Sequence, residues 1–428
     1  MKKVLIITRD FPPNLSKVGW MIRTAELANY LVKNGYQVDV LACERSKKWP
    51  GLINVDEKVN VHSIKGIGSY FDVPREDVGV LELWYKVLRK ISYKFLKNHI
   101  VDFDQLDKNK YINEALKIIK KKNIKNVFVS APPCSLHLVA EEIKNNLGNK
   151  INLIVDYRDA WTLRKSFIKG RNEKMLKKLK NLEQRTLSKH NHTIFVSSGM
   201  KKEYLKKFNI NASISIVENG FINYKRITPD SNFIKKVNQI KQEGKIIIGY
   251  FGTGSANGNM PKKDFSVLLE ILNKEENKDL ASQICLVLQG HVPLPNYLPE
   301  NLKVLTLPAV SNKKARANMR EVDLCLFVYS EPFDASLVMG GKVYDYIASG
   351  NPIWLIIPNN SYSLLDFAKV TDKPFISDIF DVKSIENKLR FIIDLWKKNK
   401  LSKFGFTKEE AEPYCRDNQY DRILEILE

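Results

Sequence analysis

Short apolar runs in this sequence are followed by a polar loop and then by apolar residues at helical spacing. The first run is Val4–Thr8, residues 21–33 carry the helical pattern, and Tyr36–Ala42 is the next apolar run. This order is typical of a Rossmann-type unit, whose parallel strands carry ligand-binding loops at one edge. The first loop lacks a Gly-x-Gly-x-x-Gly pattern, so a nicotinamide or flavin dinucleotide is not expected there. The sequence therefore predicts an α/β fold.

A second unit of the same kind begins near the middle of the chain. Residues 222–244 are polar and have the character of a linker, and Lys245–Tyr250 is the first apolar run after them. At 428 residues the chain is long enough for two domains with separate cores. We therefore predict a first domain over residues 1–222 and a second over 223–405, followed by a C-terminal segment over 406–428.

A glycine pair precedes a helical pattern in the second domain. Gly340 and Gly341 let backbone N–H groups approach a ligand, because neither residue has a Cβ atom. The helix that follows directs its positive end at this turn, where a phosphate group binds favourably. Lys342 adds a positive charge, and Asp345 lies on the same helix face, where it can accept hydrogen bonds from sugar hydroxyls. A nucleotide site is one interpretation, and a glycine-capped helix without a ligand is the other.

Resemblance to a known family favours the nucleotide. Asp345-Tyr-Ile-Ala-Ser-Gly-Asn-Pro resembles the Glu-Ala-Met-Ala-x-Gly-x-Pro segment of GT-B glycosyltransferases, and Lys342-Val-Tyr-Asp-Tyr resembles its Lys-x-Phe-Glu-Tyr variant. The resemblance is greatest to family 4, whose members are retaining. It implies two Rossmann-like domains facing one another across a cleft, with the nucleotide ribose on Asp345 and the diphosphate at the glycine turn. It also implies that a last helix, within residues 406–428, crosses back to the first domain.

A second glycine loop, Gly252-Thr-Gly-Ser-Ala-Asn-Gly, follows the first predicted strand of the second domain. A strand that leads into such a loop and then into a helix favours a phosphate site, although a loop without a ligand is the alternative. The family places an arginine and a lysine here. Thr253 stands where the arginine is expected, and Lys263 matches the lysine. Gly252, Thr253 and Lys263 are therefore expected to bind the donor, as is Gly19, whose Phe-Pro-Pro…Gly loop resembles the family's first loop.

Three polar residues of the first domain follow predicted strands. His137 comes after Val127–Ser130, and Arg158 and Asp159 come after Ile151–Val155. Because loops after successive parallel strands lie at one sheet edge, all three are candidate catalytic residues. Their segments Pro-Pro-x-Ser-x-His and Asp-x-Arg-Asp-x-Trp also resemble a family 4 subgroup that acts on surface polysaccharides. The alternatives are a packing role for His137 and an internal ion pair of Arg158 with Asp159.

Glu331 is a further catalytic candidate. Glu331-Pro-Phe resembles the first half of the family's two-glutamate motif, in which Asp345 is the second acid, although 14 positions separate the two here. The fold does not require an Asp-x-Asp motif, because a helix end and lysines can offset the charge of the leaving diphosphate. We therefore expect no metal ion and no cofactor, with a nucleotide-diphosphate sugar as the donor substrate.

The net charge of +21 is concentrated in the first half of the chain. Residues 1–220 carry 41 Lys and Arg against 22 Asp and Glu, and the remainder carries 28 against 26. Such an excess indicates an anionic partner. The segments 81–97 and 164–189 place basic residues on predicted helices, but no nucleic-acid-binding motif is recognised, so nucleic acid is not expected. An anionic membrane surface is one interpretation, and amphipathic helices with a solvated basic face are the other.

Cysteine and hydropathy patterns bear on the compartment. The five cysteines have neither paired nor metal-ligand spacing, which is typical of buried thiols in a reducing compartment. No run of about twenty apolar residues is present, and the first apolar run is too short for a signal peptide. The expectation is a cytoplasmic protein, with peripheral attachment to the inner face of the membrane as an option.

Together these features predict a glycosyltransferase that moves a sugar from a nucleotide-diphosphate sugar to a glycan or lipid-linked acceptor, with retention at the anomeric carbon. The resemblance implies a role in polysaccharide biosynthesis. Two alternatives stay open. One is a sugar-nucleotide epimerase on the same fold, which needs no acceptor, and the other is a non-catalytic basic scaffold that binds membrane or nucleic acid.

Overall fold

The computed structural model divides the chain into two compact units. The first comprises Met1–Glu218 with Tyr420–Glu428, and the second comprises Asn219–Gln419. Each is an α/β domain built on a parallel sheet, as the sequence predicts. The structure describes residues 2–13, 18–44 (backbone alone for 18–21), 54–67, 87–88, 90–92, 94–223, 227–255, 263–332, 334–337 and 339–428.

The described strands of the first unit form a seven-stranded sheet of order β3-β2-β1-β4-β5-β6-β7, with parallel pairing throughout. Most of its central residues are buried on both faces, which explains why these strands have continuous apolar runs instead of alternating patterns. The strands are Lys3–Ile7 (β1), Gln37–Cys43 (β2), Asn60–Ile64 (β3), Asn126–Ala131 (β4), Asn152–Tyr157 (β5), His192–Phe195 (β6) and Ser213–Ile216 (β7).

Helical segments lie between most consecutive strands of this unit, as expected where parallel neighbours need a crossover. The described α-helices are Val18–Lys33, Lys108–Lys122, Leu136–Leu147, Lys165–Ile168, Glu173–Leu187 and Ser198–Lys207. Of the helix predicted over 81–97, residues 87–88, 90–92 and 94–96 are helical, and 81–86, 89 and 93 lie outside the described residues. Within the part of the chain that the structure describes, no helix is both long and apolar enough to cross a bilayer.

The second unit has a six-stranded parallel sheet of order β10-β9-β8-β11-β12-β13 among its described strands. Neighbouring residues of one strand pack into different cores, since successive side chains point to opposite faces. Ile246 and Ile248 contribute to one apolar cluster and Ile247 to the other. The strands are Ile246–Phe251 (β8), Ile284–Gln289 (β9), Lys303–Leu307 (β10), Leu324–Val328 (β11), Ile353–Ile357 (β12) and Phe375–Asp378 (β13).

The helices of the second unit follow the same alternation with strands. Its described α-helices are Ser231–Gln242, Ser266–Leu272, Lys278–Ser282, Asn312–Met319, Gly341–Ser349, Tyr362–Thr371, Val382–Lys397 and Lys408–Ala411. A last helix, Arg416–Leu427, begins in the second unit and continues into the first. The chain therefore passes between the units twice, after Glu218 and after Gln419, and the first crossing lies close to the predicted boundary at residue 222.

A buried ion pair joins the first helix of the first unit to its sheet. Arg23 donates from Nε and Nη2 to the two carboxylate oxygens of Asp156, at 3.1 and 2.9 Å. The same guanidinium donates to the carbonyl oxygens of Val217 and Glu218, both at 2.9 Å. The hydroxyl of Ser130 donates to Asp156 at 2.8 Å. Because both charges are buried and hydrogen-bonded, removing one of them would leave the other without compensation.

We predict that Arg23→Met lowers the free energy of unfolding of the first unit by about 3–5 kcal/mol, because Asp156 loses its counter-charge inside the protein. Urea titration followed by intrinsic fluorescence measures the change. Lys33→Met is the matched control, since Lys33 is an exposed cation on the same helix. Equal stability of the two variants would contradict the prediction.

Candidate functional site

The glycine pair of the second unit forms an open helix start. Gly340 has φ +78°, and a Cβ atom on it would lie 2.8 Å from the ring of Phe327. Among the described residues, no atom lies within 4 Å of the place that a Cβ atom on Gly341 would take, so these residues leave space beside it. The helix Gly341–Ser349 is nine residues long and ends at Gly350, which has φ +83°. The backbone N–H groups of its first turn can therefore be approached by an anion.

A buried tyrosine fixes this helix against the sheet. The Tyr346 hydroxyl donates to the carbonyl oxygen of Leu326 at 3.1 Å and accepts from the backbone N–H of Phe251 at 3.3 Å. The two partners belong to β11 and β8, which are neighbours in the sheet. Since β8 leads directly into the Gly252 loop, Tyr346 ties the helix to the strand that positions this loop.

Lys342 lies across Gly252. A Cβ atom on Gly252 would be 2.6 Å from Lys342 Cε and 2.7 Å from its Nζ, so a residue with a side chain would displace the lysine. The ammonium group lies 4.3 Å from the centre of the Tyr250 ring. It donates to the Tyr250 hydroxyl at 3.2 Å and to the carbonyl oxygen of Thr253 at 3.3 Å. The structure thus brings together Gly252, Thr253 and Lys342, which the sequence assigns to the donor.

Burial lowers the pKa of Lys342 to about 7, with a further contribution from the positive charge of Lys263, while Asp345 acts in the opposite direction. Both oxygens that accept hydrogen bonds from its Nζ are neutral. An anion that approached this ammonium would favour the protonated form and would therefore be bound together with a proton.

The Gly252 loop is held by backbone contacts with the loop after β9. The N–H of Gly252 donates to the carbonyl oxygen of Gln289 at 2.7 Å, and that of Gly254 donates to His291 at 3.0 Å. A Cβ atom on Gly290 would lie 2.4 Å from the carbonyl oxygen of Gly252, so this close approach requires glycine. Residues 256–262, the rest of the predicted loop, lie outside the described residues.

Lys263 is exposed at the end of this loop. Its carbonyl oxygen accepts from the N–H of Ser255 at 2.9 Å. The next residue, Asp264, donates from its N–H to the Ser330 hydroxyl at 3.1 Å, and its carboxylate accepts from the N–H of Ser266 at 3.1 Å. These contacts fix the backbone that carries Lys263 and connect it to the loop that contains Glu331.

Glu331 is half-buried in the loop after β11. The following residue, Pro332, accepts a hydrogen bond from Asn360 Nδ2 at 2.8 Å. Because β8 and β11 are parallel neighbours, the loops that carry Gly252 and Glu331 leave the same edge of the sheet. Phe333, the third residue of the Glu-Pro-Phe segment, lies outside the described residues.

Asp345 is held by a residue that the sequence analysis does not identify. Its Oδ1 lies 3.4 Å from Nε of the buried Arg316, and its Oδ2 accepts from Asn312 Nδ2 at 3.4 Å. Burial raises the pKa of Asp345, and Arg316 and Asn312 oppose this shift. Arg316 has no sequence signal, because it lies in the polar helix Asn312–Met319 beside two lysines and outside any motif.

In the first unit, His137 lies in an aromatic core. The residue is fully buried; its ring is stacked 5.2 Å from that of Trp161 and lies 4.2 Å from that of Tyr157. Both ring nitrogens are buried, and neither has a hydrogen-bond partner among the residues that the structure describes. Burial, aided by His190, lowers the pKa of His137 well below its usual value, so the ring is neutral. This geometry matches the packing alternative, and burial does not support the catalytic role that remains a prediction.

Arg158 and Asp159 are attached to different parts of the first unit. Arg158 donates to the carbonyl oxygens of Pro132 at 2.5 Å and Ala131 at 3.4 Å. Asp159 forms an ion pair with Arg164, 3.0 Å away, and both of these side chains are substantially exposed. Gly19 lies in the first turn of the helix Val18–Lys33, and the preceding residues 14–17 lie outside the described residues.

The loop that carries Arg158 and Asp159 is anchored by a buried carboxylate that sequence reasoning also misses. Glu183 accepts from the backbone N–H of Thr162 at 3.0 Å, from the Thr162 hydroxyl, and from the Tyr204 hydroxyl at 2.6 Å. The N–H of Trp161 donates to that same Tyr204 oxygen at 2.8 Å. Burial raises the pKa of Glu183 to about 7, although these hydrogen bonds oppose the shift. In the described residues, no three carboxylate, imidazole or thiol groups are grouped as a metal site.

Comparison with known proteins gives one family match. The family model described as Glycosyltransferase Family 4 matches residues 22–222, which lie almost wholly in the first unit. No curated protein sequence matches the chain significantly.

Solved structures are similar to this chain along its whole length. Sucrose-phosphate synthase from Thermosynechococcus elongatus is similar over 100% of this chain and 98% of its own, with 12% identity and a TM-score of 0.63. Anabaena HepE, in complex with UDP and glucose, is similar over 100% and 99%, with 12% identity and a TM-score of 0.57. An E. coli structure described as trehalose-6-phosphate bound with UDP-2-fluoro glucose covers 100% and 99%, with 10% identity and a TM-score of 0.64. These likenesses confirm the GT-B fold.

We predict that Lys342 makes anion binding pH-dependent in the second unit. Inorganic pyrophosphate is the probe, and calorimetry of the whole protein and of Lys342→Gln measures its affinity from pH 6 to pH 9. The ratio of the two affinities should be largest below about pH 7, where Lys342 is protonated, and should fall as the pH rises further. The protonation of pyrophosphate affects its binding to both proteins equally, so it does not change this ratio. A ratio independent of pH would contradict the role given to Lys342.

Proposed function

We propose that the chain, which has the GT-B fold, is a glycosyltransferase that uses a UDP-sugar as donor and a glycan or lipid-linked molecule as acceptor. Two proteins with this fold support the choice of nucleotide, since HepE is described in complex with UDP and glucose and the E. coli protein with UDP-2-fluoro glucose. The match of the first unit to family 4 supports retention at the anomeric carbon.

The observation that carries the proposal is the arrangement of Lys342 beside two glycine turns. Its ammonium group lies over Gly252, next to the open start of the helix Gly341–Ser349. Asp345 follows one helical turn later, on the same face. Positive charge and backbone N–H groups suit a diphosphate, and a carboxylate at this distance along the helix suits the ribose hydroxyls.

The same groups also stabilise the leaving group of the reaction. When the bond between the anomeric carbon and UDP breaks, negative charge develops on the diphosphate, and Lys342, Lys263 and the helix start stabilise it. The acceptor oxygen forms the new bond to the anomeric carbon, and its proton passes to the departing diphosphate oxygen, where the negative charge develops. In this proposal Glu331 faces the sugar, and no metal ion is required because fixed cations and N–H groups offset the charge.

We predict that Lys342→Gln and Lys263→Gln each weaken UDP binding roughly tenfold to a hundredfold, because each removes a charge-assisted hydrogen bond of about 1.5–3 kcal/mol. Calorimetry measures the affinity, and circular dichroism verifies the fold. Lys369→Gln, which changes an exposed lysine of the same unit, is the matched control. Unchanged UDP affinity in both variants would contradict the donor site.

An assay of donor turnover tests the reaction itself. UDP-glucose and UDP-N-acetylglucosamine are incubated with the protein, with and without a lipid-linked oligosaccharide, and UDP release and labelled product are followed. Acceptor-dependent release of UDP with a glycosylated product supports the transferase. Conversion of the donor to an epimer without acceptor would indicate the epimerase, and binding without turnover would indicate the scaffold.

A surface of the first unit suits attachment to an anionic membrane, where a lipid-linked acceptor would be found. Val87, Ile91 and Phe95 are exposed at intervals of four residues in a helical segment, and Phe95 is 68% exposed. Lys90, Lys94 and Lys97 are interspersed among them. Apolar residues that can enter the interface, together with lysines that meet anionic headgroups, are the composition of a membrane-surface helix.

A small pocket adjoins the same segment. It has a volume of about 200 Å³, and its lining includes the apolar side chains of Leu96, Ile100 and Phe167, the cations Lys97, Arg164 and Arg171, and the acidic residue Asp102. Arg171 already donates to the carbonyl oxygen of Ile100 at 2.8 Å and lies 4.9 Å from the ring of Phe167. The pocket therefore extends the combination of apolar and basic groups beyond the helix.

We predict that the protein co-sediments with vesicles that contain phosphatidylglycerol but not with pure phosphatidylcholine, and that added salt reduces binding. Replacing Ile91 and Phe95 by serine should weaken the binding at least threefold, as should replacing several lysines of 164–189 by glutamine. Leu205→Ser is the control, because Leu205 is an exposed leucine elsewhere on this unit. Equal binding to neutral vesicles would contradict the proposal.

A further inference from the structure

We propose that Arg316 is a positioning residue that holds Asp345 in place to accept hydrogen bonds from the ribose hydroxyls of the donor. The inference rests on the proposed function, because it assigns the ribose to Asp345. It adds a residue from another helix, Asn312–Met319, to the donor site of the second unit.

The guanidinium of Arg316 is held from three directions. Its Nε lies 3.4 Å from Asp345 Oδ1, its Nη1 donates to the carbonyl oxygen of Ile222, and its central carbon lies 5.4 Å from the centre of the Phe221 ring. The residue is 4% exposed. Phe221 is fixed in turn, since its N–H donates to the carbonyl oxygen of Tyr414 at 3.0 Å and its own carbonyl oxygen accepts from Arg416 at 2.8 Å. The position of the Arg316 guanidinium is therefore fixed by several contacts.

The carboxylate of Asp345 retains capacity for a ligand. A carboxylate offers about four lone-pair positions. The contacts with Arg316 and Asn312 are both long, at 3.4 Å, and each engages a different oxygen. Such contacts restrict rotation of the carboxylate, and they leave lone pairs that two neighbouring hydroxyls can use.

Arg316 also favours the ionised form of Asp345. Burial raises the pKa of Asp345, and Arg316 makes the largest opposing contribution. A protonated carboxyl group carries a hydrogen on one oxygen and accepts less well. The arginine thus has two effects on one side chain, since it fixes the orientation of Asp345 and favours its charge.

A comparison of probes with and without ribose tests this role. The affinities of UDP, 2′,3′-dideoxy-UDP and inorganic pyrophosphate are measured by calorimetry for the whole protein and for Arg316→Gln. We expect a tenfold or greater loss for UDP and less than a twofold change for the other two probes. The ratio of the Arg316→Gln affinity for UDP to the parent affinity should also fall as the pH is lowered from 7 to 5, because Asp345 is protonated more readily without the arginine. Titration of UDP and of Lys342 affects both proteins, and Lys342 and Arg416 still favour ionised Asp345 in both.

Two further variants separate positioning from general structure. Arg316→Lys, which keeps the charge, should recover part of the UDP affinity, and Arg316→Gln combined with Asp345→Asn should bind UDP no more weakly than Asp345→Asn alone. Arg320→Gln is the matched control, because Arg320 is an exposed arginine that follows the same helix. It should bind all three probes as the parent does.

Different results would contradict the positioning role, the ribose assignment and the proposed function. An equal loss for all three probes, or an unchanged UDP affinity, in a folded Arg316→Gln would overturn the positioning role while the donor site stood. If the parent protein bound pyrophosphate but showed no preference for UDP over the dideoxy analogue, the ribose assignment of Asp345 and the positioning role would both fail. No binding of UDP by the parent protein would refute the proposed function itself.

Discussion

The absence of a side chain at Gly252 is the constraint on which the candidate site depends. Lys342 occupies the space where a Cβ atom would stand, and the carbonyl oxygen of Gly252 occupies the corresponding space at Gly290. Two close approaches thus meet at one residue, and each requires glycine for its own reason. Tyr346 aligns the helix with the strand that leads into this loop. The position of the ammonium group therefore follows from backbone geometry as much as from the lysine itself.

The fold can be predicted from the sequence because the patterns that indicate its strands, helices and turns are local. Runs such as Ile246–Phe251 are buried on both faces of a parallel sheet, and the glycine turns that follow them mark the ligand edge. The association of Gly252 with Lys342 is also suggested by the motifs, although their contact is not. Resemblance to a family can assign two positions 90 residues apart to the same site, but only the structure shows which of their atoms are in contact.

Other features of the site depend on long-range packing and leave no local pattern. The Pro-Pro-x-Ser-x-His segment suggests a catalytic histidine, yet Tyr157 and Trp161 enclose His137 in the core. Arg316 appears as one more basic residue on a polar helix until the fold buries it beside Asp345. Glu183 lies in a basic helix, where only its hydrogen bonds to Thr162 and Tyr204 distinguish it. In each case burial determines the surroundings of the side chain, and burial depends on elements distant in sequence.

The double crossing of the chain has a consequence for how the protein is made. The second unit is inserted, in topological terms, between β7 and the final turns of the first unit. Tyr420, Ile423 and Leu427 are buried in the same apolar cluster as Val4 and Ile6, and the Tyr420 hydroxyl donates to the carbonyl oxygen of Arg23 at 2.8 Å. During synthesis on the ribosome, part of the core of the first unit therefore stays uncovered until the second unit has been synthesised and the last helix follows it. The first unit is thus completed only after the second unit has been synthesised, although the strands of the first unit precede it in the chain.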